Sequence, residues 1–138
     1  MRKARYLPAI AFISATLLPG LALAENASDF LQQYETAALQ APSFKGLSPQ
    51  RGESFFRATH GRDWSCASCH TQNPTAAGKH AKTDKQIAPL APTANAERFT
   101  RPDKVEKWFK RNCNDVLGRA CSAQEKGDVL AYLLSLKK

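Results

Sequence analysis

Residues 66–70 read Cys66-Ala67-Ser68-Cys69-His70, and this C-x-x-C-H run decides how the rest of the chain is read. Its spacing is that of c-type haem attachment: two thiols add to the two vinyl groups, and the imidazole beside the second cysteine reaches the iron. A thioredoxin-like dithiol would need a βαβ setting, and a zinc site would need two more ligands at finger spacing. No period-two strand pattern of any length appears, and Cys113 and Cys121 are poorly separated for a finger. One covalent haem c is therefore expected on Cys66 and Cys69, with His70 as proximal iron ligand.

The flanks fit that reading. Residues 60–100 are rich in Gly, Pro, Thr, Asn and Ala, and Ala88-Pro89-Leu90-Ala91-Pro92 is extended or turn-like. A long irregular stretch in a small domain needs something else to fill the space, and a large prosthetic group does so. Upstream, Ser28-Asp29 caps a helix with Phe30, Leu31, Tyr34, Ala37, Ala38 and Leu39 at helical spacing, ended by Ala41-Pro42. Ser48-Pro49 starts a second, with Phe55-Phe56 as its apolar side. Gly52 lies inside it at a cost of about 1 kcal/mol relative to alanine, which close approach by another helix explains. Downstream, Pro102 opens a third helix with Val105, Trp108 and Phe109 on one face, fading near Arg111-Asn112. Ser122-Ala123-Gln124-Glu125 is a capping box. It launches a last helix with Val129, Leu130, Leu133, Leu134 and Leu136 inward or half-inward. The fold class is all-α: a small cytochrome c fold, about four helices around one haem.

The 138 residues, 43% hydrophobic and 23% charged, suit one globular domain. Met1–Ala24 carries Arg2, Lys3 and Arg5, the apolar stretch Ala9–Leu18, and Ala22-Leu23-Ala24 before Glu25. That is a secretory signal peptide, leaving 25–138 as a single mature domain. Its removal reduces the formal charge from +8 to +5, with 17 basic against 12 acidic residues. The expected home is the periplasm, which excludes nucleic acid as a partner despite the basic charge. No later run approaches a membrane span, so the mature protein is expected to lack a transmembrane segment. Four cysteines suffice for one cofactor site plus one bridge.

The iron's second axial ligand departs from the commonest pattern. The only methionine is Met1, lost with the signal, so a His/Met cytochrome is excluded. The remaining donors are His60, His80, the lysines and the asparagines. His60 lies close to Cys66 but badly for the opposite face, and His80 sits in a polar loop. An asparagine at a helix end is more often a C-terminal cap than a ligand. The residues alone leave Asn112 and Asn114 as rivals.

Cys66-x-x-Cys69-His70, Ile87-Ala88-Pro89-Leu90-Ala91-Pro92, Arg98-Phe99-Thr100, Val105-Glu106-Lys107-Trp108 and Arg111-Asn112-Cys113-Asn114 with Gly118-Arg119 and Cys121 together resemble the SHP (sphaeroides haem protein) family. These are small class I-like cytochromes with a high-spin haem, and the match covers most of the mature chain. The resemblance implies Asn112 as distal iron ligand and a Cys113–Cys121 disulfide. An oxidising compartment also favours pairing of the two leftover cysteines. Cytochromes of this class commonly hold the proximal imidazole through a proline-segment carbonyl, which matches Pro89 to His70. The family further implies a haem reactive toward O2, NO or CO, and a diheme cytochrome c as redox partner. The competing functions are a plain electron shuttle and, ranked lower, an enzyme acting on peroxide or NO, since no distal acid–base pair is recognisable. Between Lys79 and Arg111 stand nine Lys/Arg against four acids. This excess is placed to steer an acidic redox partner and to neutralise haem propionates.

Overall fold

Asn26 opens the first helix of the computed structural model, in which residues 25–137 are described. The expected signal peptide, residues 1–24, lies outside them. The Asn26 side chain accepts from the N–H groups of Ser28 and Asp29, and Asp29 accepts from the Asn26 N–H at 2.8 Å. This reciprocal cap starts α1, Ala27–Ala38, slightly earlier than the expected Ser28-Asp29 cap. Helix α2 is Pro49–Arg57, opened as expected by Ser48 and a proline in the first turn. Helix α3 is Cys66–His70, α4 is Pro102–Leu117 and α5 is Ala123–Ser135. The only sheet among the described residues is a two-residue antiparallel ladder, β1 Gly78–Lys79 with β2 Gln86–Ile87. The fold is all-α.

Helix α5 is the organising element, packed closely on both α1 and α2. At the α2–α5 crossing the backbones approach so tightly that a β-carbon on Gly52 would overlap the Asp128 carbonyl oxygen. The close neighbour that Gly52 requires is therefore α5. The Asp128 side chain, buried among apolar residues at 5% exposure, accepts from the Ser48 N–H at 2.7 Å and from two Arg51 nitrogens at 2.9 Å. A buried carboxylate needs such partners, and here they tie the α2 cap to α5. Phe30, Phe56, Leu130 and Leu133 form the fully buried centre.

Two helices differ from the sequence reading. Helix α4 runs on to Leu117 and ends at Gly118 in the left-handed conformation, whereas the pattern suggested fading near Asn112. The polar run that masked the continuation lies outside, while Cys113 and Val116 extend the buried side begun by Val105. Trp108, expected on the inner face, is 47% exposed. In α5 the outward residue is Leu134, at 36% exposure, and Tyr132 is buried in its stead.

Among the described residues, α4 has no backbone-close crossing like those of α1 and α2 with α5. Side chains hold it. Near its start, Glu106 accepts from the Tyr34 hydroxyl at 2.7 Å and from Lys126 at 2.6 Å, with Phe109 edge-on to Tyr34. Burial, reinforced by the bond to Glu106, keeps Tyr34 far above the ordinary phenol range and hence a donor. Near its end, Cys113 is joined to Cys121, eight positions on. Replacing both cysteines by serine should lower stability by about 2.6 kcal/mol from loop entropy alone, read as a lower urea midpoint. An unchanged midpoint would show that the bridge constrains nothing the packing does not already fix.

Candidate haem site

The centre of the site is built by a cap. Ser65 accepts from the Ser68 N–H at 3.2 Å, and Ser68 accepts from the Ser65 N–H at 3.0 Å. This reciprocal pair starts α3 at Cys66, so Cys66 and Cys69 stand one turn apart on one side of it. Neither is in a disulfide, and both are half-buried. Burial pushes the Cys66 thiol up to about 11. Cys69 Sγ accepts from the Ala81 N–H at 3.4 Å. The β1 strand closes over α3 at Gly78, where any β-carbon would overlap the Cys69 carbonyl oxygen. Immediately after His70, Thr71 takes φ +62° and ψ 167°, a backbone state that costs a non-glycine residue about 1–3 kcal/mol.

The His70 ring lies 6.5 Å from the Phe56 ring, centroid to centroid. Burial, and then the positive charge of Arg98, push its pKa down to about 4, so the ring is neutral at neutral pH, as a metal-binding imidazole must be. Neither ring nitrogen has a hydrogen-bond partner among the described residues, so one can offer its lone pair to a metal while the other keeps an N–H to donate. The Pro89 carbonyl, expected to hold this ring, accepts instead from Arg98 Nε at 2.8 Å and Asn95 Nδ2 at 3.3 Å. Arg98 also donates to the Ala88 carbonyl at 2.6 Å. No hydrogen bond joins this carbonyl to His70 among the described residues.

Asn112 lies on α4, half-buried, with no side-chain hydrogen bond among the described residues, and its neighbour Cys113 carries the bridge. Its rival Asn114 is exposed. The two histidines outside the motif are committed locally. His60 Nε2 lies 2.9 Å from the Phe55 carbonyl, its ring tilted at 48° to that of Phe55, and His80 Nδ1 accepts from the Lys82 and Thr83 N–H groups at 3.3 Å. Two unbridged thiols one turn apart, a neutral imidazole and an unengaged amide form a donor set that suits a haem attached through thioethers. A groove also lies at the α2–α5 crossing, between Arg51, Phe55, Gln124 and Asp128.

Residues 42–133 match the family described as Domain of unknown function (DUF1924). The chain is 43% identical over 123 residues to cytochrome c'' of Methylophilus methylotrophus, spanning 86% of this chain and 85% of that protein. It is also 43% identical over 127 residues to the cytochrome c-type protein SHP of Cereibacter sphaeroides, spanning 88% of this chain and 94% of that one. This chain belongs to the cytochrome c''/SHP family of c-type cytochromes. Structures agree. Oxidized SHP, described as an oxygen binding cytochrome c, superposes with a TM-score of 0.72 at 38% identity, covering 82% of this chain and 99% of SHP. The solution structure of cytochrome c'', concerned with the structural basis of haem-ligand detachment, gives 0.68 at 42% identity, covering 81% and 94%. This cytochrome thus carries a covalently bound haem c in a small all-α fold.

Sequence reasoning named the motif cysteines and His70 but assigned no part to the Arg98–Asn95 clamp on the Pro89 carbonyl. No periodicity marks an arginine inside an irregular loop. Phe99, next to Arg98, takes φ +57°, a backbone state that the sequence does not announce for a phenylalanine.

Proposed function

We propose that this chain is an exported, periplasmic monohaem cytochrome in which Asn112 is a displaceable axial ligand, and that O2, NO or CO takes the position Asn112 gives up in the ferrous state. Cys66 and Cys69 would carry the thioether bonds, His70 would hold the iron from the proximal side, and Met1–Ala24 would be cleaved on export. The bound haem supplies the electron and the metal at which a small diatomic ligand is held. The observation that carries the reading is the half-buried Asn112 amide, which has no hydrogen-bond partner among the described residues and is anchored through its neighbour by the Cys113–Cys121 bridge. No protein group engages this amide among the described residues, so it is available to an iron site.

An amide is a weak neutral donor compared with imidazole. Asn112 would therefore be expected to suit ferric iron, the harder state, better than ferrous iron, and to be displaced more readily in the reduced protein. Replacing thioether by this harder donor also lowers the potential relative to a His/Met cytochrome. Support comes from the relatives: SHP is described as oxygen binding, and cytochrome c'' is studied for haem-ligand detachment. A diheme c-type cytochrome suits the role of redox partner.

The deciding experiment compares wild type with Asn112→Ala by optical spectroscopy of both oxidation states. The variant should retain one haem by intact mass and bind small ligands in the ferric state at least about tenfold faster, because the competing donor is gone. Ferrous wild type should change its spectrum on adding NO or CO. A ferrous wild type that stays six-coordinate, low-spin and indifferent to NO would overturn the reading in favour of a plain electron shuttle.

A further inference from the structure

We infer that the outer face of α4 is the docking surface for an acidic electron-transfer protein, with Trp108 at its centre and Lys104, Lys107 and Arg111 around it. The inference rests on the reading above that the chain exchanges electrons with a protein partner. It adds where that partner sits and what it must look like.

Lys104, Lys107, Trp108 and Arg111 stand at i, i+3, i+4 and i+7, one stripe of α4, and all four are exposed. Val105, Cys113 and Val116 occupy the opposite, buried side. Trp108 is an unusual side chain to leave 47% exposed. The Arg111 guanidinium lies 5.7 Å from its ring centroid, within reach of a cation–π contact.

The charges around it are uncommitted. Among the described residues, Lys104, Lys107, Lys110 and Arg111 make no salt bridge. Two of the three acids of α4 are already engaged, Asp103 by Arg101 at 3.0 Å and Glu106 by Lys126 at 2.6 Å. Four free cations thus face one free acid, Asp115. A field of one sign steers an oppositely charged partner, and tryptophan and arginine are the side chains that most often dominate an interface once it is dry. An aqueous acidic protein matches this surface. A bilayer does not, because an interfacial helix needs a continuous apolar stripe and this face offers a single ring. The choice of helix also matters: a partner seated here lies on the element that carries Asn112, one turn beyond Trp108.

The test uses the holoprotein and a reduced plant-type ferredoxin as an acidic one-electron donor, with haem reduction followed by stopped flow. The wild-type bimolecular rate should fall at least about tenfold between about 10 mM and about 0.5 M salt. The combined variant Lys104→Glu, Lys107→Glu, Arg111→Glu should lose at least about tenfold at low salt and flatten the salt dependence. Trp108→Ala should slow the reaction by about tenfold while keeping the salt slope. Amide shifts on adding oxidised ferredoxin should cluster on α4. Unchanged rates in the α4 variants would overturn the proposal, as would an equal loss on reversing the exposed Lys45 and Lys137, or shifts on α4 caused by phosphatidylglycerol vesicles and not by ferredoxin. Each variant is first required to show one haem by mass and the wild-type ferric spectrum. A failure of the Asn112 reading appears in those spectra and in ligand binding, and leaves the docking rates untouched.

Discussion

Gly52→Ala should cost about 3 kcal/mol or more of stability, lowering the melting temperature by about 10 °C. In an exposed helix the same change would stabilise by about 1 kcal/mol, because alanine is the better helix former. At this position the new methyl meets the Asp128 carbonyl oxygen and the following peptide, which are backbone and cannot swing away. The two helices must separate, and separation also stretches the bonds from Asp128 to Ser48 and Arg51. Gly127→Ala is the internal control. Its β-carbon would meet Leu47 Cδ2 at 2.6 Å, Leu47 Cδ1 at 3.0 Å and Tyr34 Cβ at 3.3 Å, and the two nearest atoms are the end of a side chain rather than backbone. Gly127→Ala should therefore cost well under half as much. Equal losses for the two variants in urea denaturation would show that the α2–α5 approach is not what glycine serves.

The second large effect is chemical. With Cys66 and Cys69 both replaced by alanine, the chain isolated from an exporting host should show no covalently attached haem by intact mass, and acid–acetone should extract whatever remains bound. Single replacements should leave one thioether and a shifted absorption band. No other thiol can substitute, because the remaining two cysteines, Cys113 and Cys121, are tied to each other. Haem that resists extraction from the double variant would move the attachment site off α3 altogether.

How far the chain could be read before folding differs from place to place. The caps were legible because they are local chemistry: Ser48 with Pro49, and Ser122 with Glu125, needed only neighbours within a turn. Gly52 announced a close crossing without naming its partner, since nothing in α2 encodes that α5 supplies the Asp128 carbonyl. The end of α4 was misplaced because its apolar residues are widely spaced there, and a helix with one thin buried side looks like a fading one. Trp108 shows the matching error. A large apolar residue at the right spacing was given to the core, while long-range packing had already filled that side with Val105 and Phe109. Arg98 was beyond reach for another reason. Its partners are carbonyls nine and ten residues back in an irregular loop, and only the folded path of that loop brings them to it.

The way α4 is fastened has a consequence for how the molecule breathes. Cooperative opening follows shared burial, and α1, α2 and α5 share theirs through close backbone crossings. Helix α4 shares less of that: beside Val105 and Phe109, packed into the core, it is held by one bridge and one carboxylate clasp. On these protein contacts α4 should open before the three-helix body behind it, which native-state hydrogen exchange would read as α4 amide protons exchanging ahead of those of α5.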